Sequence, residues 1–288
     1  MKNLITADIW AMRASELHAL FSAWQAQVTI PREQASGPPE NKIQEGIALI
    51  PIVGLLDQDE SFMMEIMGGV SYAAIRAQVR AATADPAVKG LMLMVNSPGG
   101  TVEGVAETAD LIFQAGKVKP VWAQVMGSAA SAAYWLASQA GNISANRLDR
   151  VGSIGVYGVF YDTSKAAEAQ GVKPILVTTG DYKGAGAAGL PITEAQVGEW
   201  QRLADAYYRE FLAAILRGRG GNGFGPAKIK ALADGREWTG QEALSLGLID
   251  NVRTGQETFL ALTKEIKRGT PASRQRAASA AIAIASAK

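Results

Sequence analysis

Between residues 47 and 126, short apolar runs alternate with stretches in which apolar positions recur every three or four residues. Ile47–Val53, Gly90–Val95 and Pro120–Met126 have the length and bulk of buried strands, while Tyr72–Ala84 and Val102–Ala115 have helical spacing. Strand and helix in alternation imply right-handed β-α crossovers and a largely parallel sheet. The pattern continues with a helix over Ala129–Gln139, strands near Val151–Tyr157 and Pro174–Thr178, and a long helix over Glu194–Arg217. A glycine-rich break at Gly218–Gly225 precedes Trp238–Val252, which reads as strand, short helix and strand, and Glu257–Lys267 forms a last helix. Ahead of all this, Trp10, Leu17, Leu20, Phe21 and Trp24 fall at helical spacings, and the polar, proline-bearing run from Pro31 to Asn41 reads as a linker. The expected organisation is an N-terminal amphipathic helix and linker over residues 1–43, a catalytic body over 44–268, and an Ala/Ser-rich mobile tail over 269–288. No internal repeat of solenoid length is present.

Composition narrows the classes of function. The 288 residues are 48% hydrophobic and 19% charged, enough for a full core. Lys and Arg number 28 against 27 acidic residues, so the net charge of +1 gives no electrostatic footprint for nucleic acid or an anionic membrane. There is no cysteine, which excludes disulfides, thiolate-zinc sites and a cysteine nucleophile. The single histidine, His18, lies in the N-terminal segment. A serine nucleophile in the body is therefore better matched to a lysine base than to a Ser-His-Asp triad. Asp8, Arg13 and Glu16 interrupt any signal-peptide core, and no apolar run approaches the roughly 18 residues needed to cross a bilayer. A soluble, cytoplasmic protein is expected.

Four segments could supply chemistry. Asn96-Ser97-Pro98-Gly99-Gly100 follows the strand LMLMV and reads as a strand-to-helix turn. Its exposed amides could serve a developing oxyanion, where one donor is worth about 3 kcal/mol of barrier, or it could be a tight turn with no function. Gly127-Ser128-Ala129-Ala130-Ser131-Ala132-Ala133 opens a helix of small residues, a suitable setting for a serine nucleophile. It could equally be a helix packed closely on a sheet, with Ser128 as its N-cap. Lys183 lies in the small-residue loop Gly180–Gly186, either as a base or as a solvated lysine. A lysine acts as base near neutral pH only if its pKa of about 10.4 falls by about three units. A nearby Asp181 opposes that fall unless its carboxylate points elsewhere. Ser153, in Gly152–Val156, could orient a neutral amine or be only a strand start.

In this order, NSPGG at 96–100, MGSAASAAYW at 126–135, VGSIGV at 151–156 and TGDYKG at 179–184 resemble the signal peptide peptidase A family of serine peptidases. WTGQEALSLGLID at 238–250 adds support, so the resemblance covers roughly residues 45–253. It implies the α/β Clp-protease/crotonase fold of repeated ββα units. It further implies Ser131 as nucleophile, Lys183 as base, Ser153 steering the lysine amine, and an oxyanion and substrate-binding surface at the backbone of Gly99, Gly100 and Ala132. Peptide hydrolysis would run through an acyl-enzyme, with the substrate lying as an extended strand along the neighbouring edge. No metal or organic cofactor is implied. Short members of the family form rings that bring serine and lysine from neighbouring subunits together, so a homo-oligomer is expected.

There are departures from the family pattern. Ala132 and Ala133 stand where two glycines are common, which would narrow the site. Gly184 stands where an acidic residue often follows the lysine, and an anchor like that of the membrane-bound members is not expected. The helix, linker, core and Ala/Ser tail are closer to the phage branch, the head maturation or capsid assembly proteases, whose substrates are scaffold and portal-associated proteins; signal-type peptides are the other substrate class implied. Two further functions stay open: a catalytically silent capsid-assembly scaffold, and acyl-CoA chemistry on the related crotonase fold.

Overall fold

The computed structural model describes residues 10–12, 42–59, 64, 68–220 and 224–269, with residues 10–12 described by their backbone. Ile47, Ala48, Ile50 and Ile52 have no exposure, so the strand they form, β3 (Ile47–Asp57), is covered on both faces. Such burial suits a parallel sheet clothed by helices. Lys42–Gln44 (β2) pairs antiparallel with it at one edge. From β3 the main sheet runs through β5 (Gly90–Thr101), β6 (Val121–Ala130), β7 (Asn142–Ala145) and β10 (Asn251–Val252), every pair parallel. This is the α/β sheet expected from the alternating pattern.

The upper ends of these strands fan into a second tier. Trp10–Met12 (β1) joins β5, Gly69–Ser71 (β4) joins β3, and Arg150–Gly152 (β8) joins β6 and then Glu237–Thr239 (β9). Two register shifts cause the fanning, one in β3 between Val53 and Leu55, the other in β5 between Val95 and Ser97. At the second shift, Val95 pairs with Val125 but Ser97 pairs with Ala129, so β6 holds two extra residues and twists away. Gly127 lies in that stretch at φ 115°, and a Cβ there would come within 2.8 Å of the Asn96 side chain. Only glycine fits the crossing.

Helices cover the sheet. In α1 (Tyr72–Ala84), Tyr72, Ile75, Val79 and Ala82 form one buried stripe. The Ser71 hydroxyl caps it by accepting from the Ala74 amide, and it ends at Asp85, before Pro86. Burying Ile75 alone is worth about 2–3 kcal/mol. Helix α2 (Val105–Val118) buries Val105, Ala109 and Ile112 against the same layer. Helices α3 (Ala132–Ala137) and α5 (Glu194–Arg219) extend it, while α4 (Ser164–Ala169) has no buried residue. Helices α6 (Pro226–Leu232) and α7 (Gly240–Leu246) follow. On the opposite face, α8 (Gly255–Arg268) packs Leu262 on Ile47, Met92 and Trp122.

Several expected elements differ. Trp10–Met12 is a strand of the body and not the start of a helix; the rest of that expected helix, the linker and the Ala/Ser tail lie outside the described residues. NSPGG continues β5 instead of turning, because neighbours on both edges hold it extended. The helix expected from Ala129 begins at Ala132, and Ser128 sits inside β6, so it is not an N-cap. The strand at Val151 stops at Gly152, and Pro174–Thr178 forms no strand within this chain. Helix α5 runs through Gly218 to Arg219.

Candidate active site

Ser131 stands where β6 ends and α3 begins, one residue ahead of the helix rather than in its first turn. Its backbone has φ 54° and ψ −121°, a combination sparsely populated by residues with a side chain. The surroundings hold it there. Its amide donates to the Gly152 carbonyl at 2.8 Å, and its carbonyl accepts from the Trp135 amide at 2.9 Å. Its hydroxyl lies 3.4 Å from the Gly155 carbonyl, a long contact that leaves Oγ easy to recruit. Ser131 is 1% exposed. With six residues, α3 contributes little macrodipole, so the position of Ser131 rests on this bonding and not on helix charge.

What anchors α3 therefore anchors Ser131. The Tyr134 hydroxyl donates to the Leu248 carbonyl at 2.9 Å, and Trp135 stacks on Phe211 with ring centres 4.5 Å apart. Burial pushes the Tyr134 phenol up, so it remains a donor. Behind it, Arg219 makes two bonds to Asp250, at 2.8 and 2.9 Å, and is 1% exposed. Desolvation alone would lower its pKa, but the hydrogen bonding to Asp250, with the charges of Tyr134 and Asp250, outweighs it and raises it. Ala132 and Ala133 have no exposure, so their methyl groups fill the core and do not narrow an open site as expected from sequence.

Gly99 and Gly100 lie alongside. Their strand passes so close to β3 that a Cβ on Gly100 would sit 1.7 Å from the Leu56 carbonyl oxygen. Ser97, missed by sequence reasoning as a residue with its own role, ties this region together. Its hydroxyl donates to the Gly54 carbonyl at 2.6 Å and accepts from the Gly99 amide at 3.1 Å, thereby bridging the two register shifts. A serine within a strand carries no distinctive spacing, so the sequence holds no signal for it.

Ser153 follows Gly152, the residue that receives the Ser131 amide, and its own amide donates to the Arg236 carbonyl at 2.7 Å. It takes φ 51°, again left-handed. A cavity of about 410 Å³ opens beside it, lined by Ser153, Ile154, Gly155, Tyr157, Tyr208 and Asp234 among others. Burial pushes the Tyr157 phenol up to about 12, and its hydroxyl has no hydrogen-bond partner among the described residues. A cavity of about 510 Å³ further along, beside the stacked Phe160 and Trp200, holds none of the candidate residues. The fold thus brings Ser131, Ser153, Gly99 and Gly100 into one region.

Lys183 is exposed and makes no hydrogen bond to any of these residues. It sits on an exposed arm between β8 and α5, where its amide donates to Gly180 and its carbonyl accepts from Thr178. Among the described residues no hydrogen bond joins it to Ser131, and no ion pair joins it to Asp181. The same arm exposes Ile175 at 84% and Val177 at 91%, alternate residues of the segment expected to be a strand.

A parallel sheet whose strands fan into a second tier, with a strained serine at a strand-helix junction, defines the Clp-protease-like class of α/β folds, and a Clp protease model matches residues 50–148. The model for peptidase family S49 matches residues 114–268, just over half of the chain, and the chain belongs to that family. It is 29% identical over 211 residues to the capsid assembly protease C of Escherichia phage lambda, covering 73% of this chain and 47% of that protein. It is also 29% identical over 237 residues to the head-tail preconnector protein GP5 of Enterobacteria phage P21, covering 80% and 46%. A putative signal peptide peptidase SppA of Enterococcus faecium is 29% identical over 194 residues, covering 66% and 55%. The chain spans about half the length of these relatives. Among the described residues, no helix is long and apolar enough to cross a membrane.

Proposed function

We propose that the protein is a serine endopeptidase in which Ser131 is the nucleophile and the base is Lys183 of a second copy of the chain. The observation that supports this reading most is the backbone of Ser131, strained at φ 54° and fixed by the Gly152 carbonyl. Such strain persists only where surrounding bonds enforce it, and it clusters at reacting groups. Catalysis begins as a neutral Lys183 amine takes the Ser131 proton and Oγ attacks the scissile carbonyl. Ser153 steers the amine. Amides at Gly99, Gly100 and Ala132 stabilise the oxyanion; Ala132 qualifies because the first amides of a helix have no intrahelical acceptor. The lysine passes its proton to the leaving amine, and the ester on Ser131 is then hydrolysed by water that the same amine activates. No cofactor enters this scheme.

The assignment of Lys183 to a second copy rests on the exposed arm. Ile175, Leu176 and Val177 present an exposed apolar segment with no strand beside it among the described residues, and a neighbouring subunit would cover it. The catalytic body spans residues 44–268 in this reading. The substrate is an extended polypeptide with small or apolar residues at the cut, and capsid or scaffold proteins are the natural candidates given the phage relatives.

The test is cleavage of casein, and of a candidate scaffold protein, by the unaltered chain, Ser131→Ala and Lys183→Ala. Each variant is expected to lose on the order of a thousandfold or more. Equal cleavage by all three removes the dyad, and cleavage by none leaves a scaffold on a peptidase fold. A neutral-amine base also requires a rate that climbs with rising pH, and a rate that peaks in acid contradicts it.

A further inference from the structure

Strand β5 has two edges. Along one of them β3 pairs up to Gly100, opposite Leu56. Along the other, β6 pairs only as far as Ser97, opposite Ala129. Two residues further, at Ser131, β6 has given way to α3. The vacated edge is taken by β1, antiparallel, with Met12 opposite Gly99, Ala11 opposite Gly100 and Trp10 opposite Thr101. Because Gly99 and Gly100 already pair with β3, β1 can only lie on the side that β6 has left. Carrying the parallel register of β5 and β6 forward sets Ser131 level with Gly99, hence beside Met12.

We propose that the chain's own segment Trp10–Met12 is an intramolecular occupant of the substrate edge, which holds the enzyme latent until that segment is displaced or cut. The inference rests on the reading of Ser131 as nucleophile and adds the regulation of that site. An extended polypeptide that adds to a sheet edge beside a reactive serine is bound as a substrate is bound, by main-chain hydrogen bonds. The sequence Trp-Ala-Met is apolar with a small central residue, and Ala11 lies opposite a glycine whose Cβ the fold cannot accommodate. Ser131 is 1% exposed although it stands where a strand has turned out of the sheet. Displacing β1 uncovers the Gly99–Thr101 edge to a peptide in trans. If the segment is cut, Oγ of Ser131 attacks one of its carbonyl carbons, the C–N bond breaks with the proton going to the departing amine, and water releases the acyl group.

The chain has no cysteine, so one engineered pair reads cleanly. Directly opposed antiparallel residues have Cα atoms about 4.5–5.5 Å apart, within reach of a disulfide. Trp10→Cys with Thr101→Cys is the one opposed pair whose β5 member is not glycine. In the full chain, mild oxidation should remove both thiols without forming dimers. A fluorescein-labelled peptide of residues 5–15 is then titrated, in the Ser131→Ala background, into the oxidised pair, the same protein reduced, and a separate Ala11→Pro chain. Proline removes a ladder amide from β1 alone. The expected result is no binding to the oxidised pair and binding to Ala11→Pro at least about tenfold tighter than to the chain without it. With Ser131 restored, Ala11→Pro should cleave casein faster and the oxidised pair should not cleave it. Equal peptide affinity for all forms overturns the proposal, as does failure of the disulfide to close. Peptide binding needs no catalysis. Casein left intact by every form therefore refutes the dyad, while the binding result still decides the occupancy of the edge.

Discussion

At the scale of single residues, the site depends on contacts too short to tolerate change. Gly100→Ala drives a methyl group into the Leu56 carbonyl, so β5 must shift; a loss of about 3 kcal/mol is expected in urea unfolding, with loss of activity. Ser97→Ala removes the hydroxyl that links Gly54 to the Gly99 amide. It should cost about 1–3 kcal/mol and lower kcat more than it raises KM, since the substrate edge survives but its amides drift. Residue types were readable here while their geometry was not. Ser131 and Ser153 stand out in the sequence within their motifs, yet the left-handed backbone of each follows from bonds to Gly152 and Arg236, which are far from Ser131 and Ser153 respectively in the chain or in another strand. Pro98 and the glycines after it read as a turn, since nothing local reveals that β3 and β1 hold them extended.

At the scale of elements, long periodic segments were legible and short ones were not. Helix α5 is readable as a long helical segment, and the structure adds the reciprocal capping box that Thr193 and Gln196 form at its start. Pro174–Thr178 has the short apolar, β-branched run of a strand, but a strand needs a neighbour and none of the described residues pairs with it. Two tests belong here. Arg219→Ala leaves Asp250 without its buried partner and should destabilise the protein by about 3–5 kcal/mol in denaturant unfolding, loosening α5 behind Trp135. The arm is pinned at Asp162, whose carboxylate accepts from the Ser164 hydroxyl and from the amides of Ile192 and Ser164. Those bonds, the hydroxyl's foremost, hold its pKa at about 2, below the ordinary carboxylate value. Its contribution is therefore full above that ordinary value and is lost as pH falls through about 2. Protection of the Ile192 amide from hydrogen exchange, taken relative to the free-peptide rate at each pH, should persist near pH 4 and fall as pH approaches about 2, whereas Asp162→Ala should lack it at both.

At the scale of the whole molecule, one chain holds the serine buried in its sheet and the lysine out on an exposed arm. The sequence pointed to both residues through its resemblance to the family, but single-chain patterning says nothing about which copy supplies which. Charging the apolar edge of the arm with Ile175→Asp and Val177→Asp should lower the assembly size in light scattering and reduce casein cleavage in parallel. The account's central claim is that Ser131 and Lys183 meet across a contact between copies, and complementation tests it most directly. Ser131→Ala and Lys183→Ala chains, each inactive alone, are dissociated, mixed and reassembled, then assayed on casein. Recovered cleavage is the predicted result, because mixed contacts unite an intact serine with an intact lysine. A mixture as inactive as its components, in particles shown to contain both chains, would contradict it.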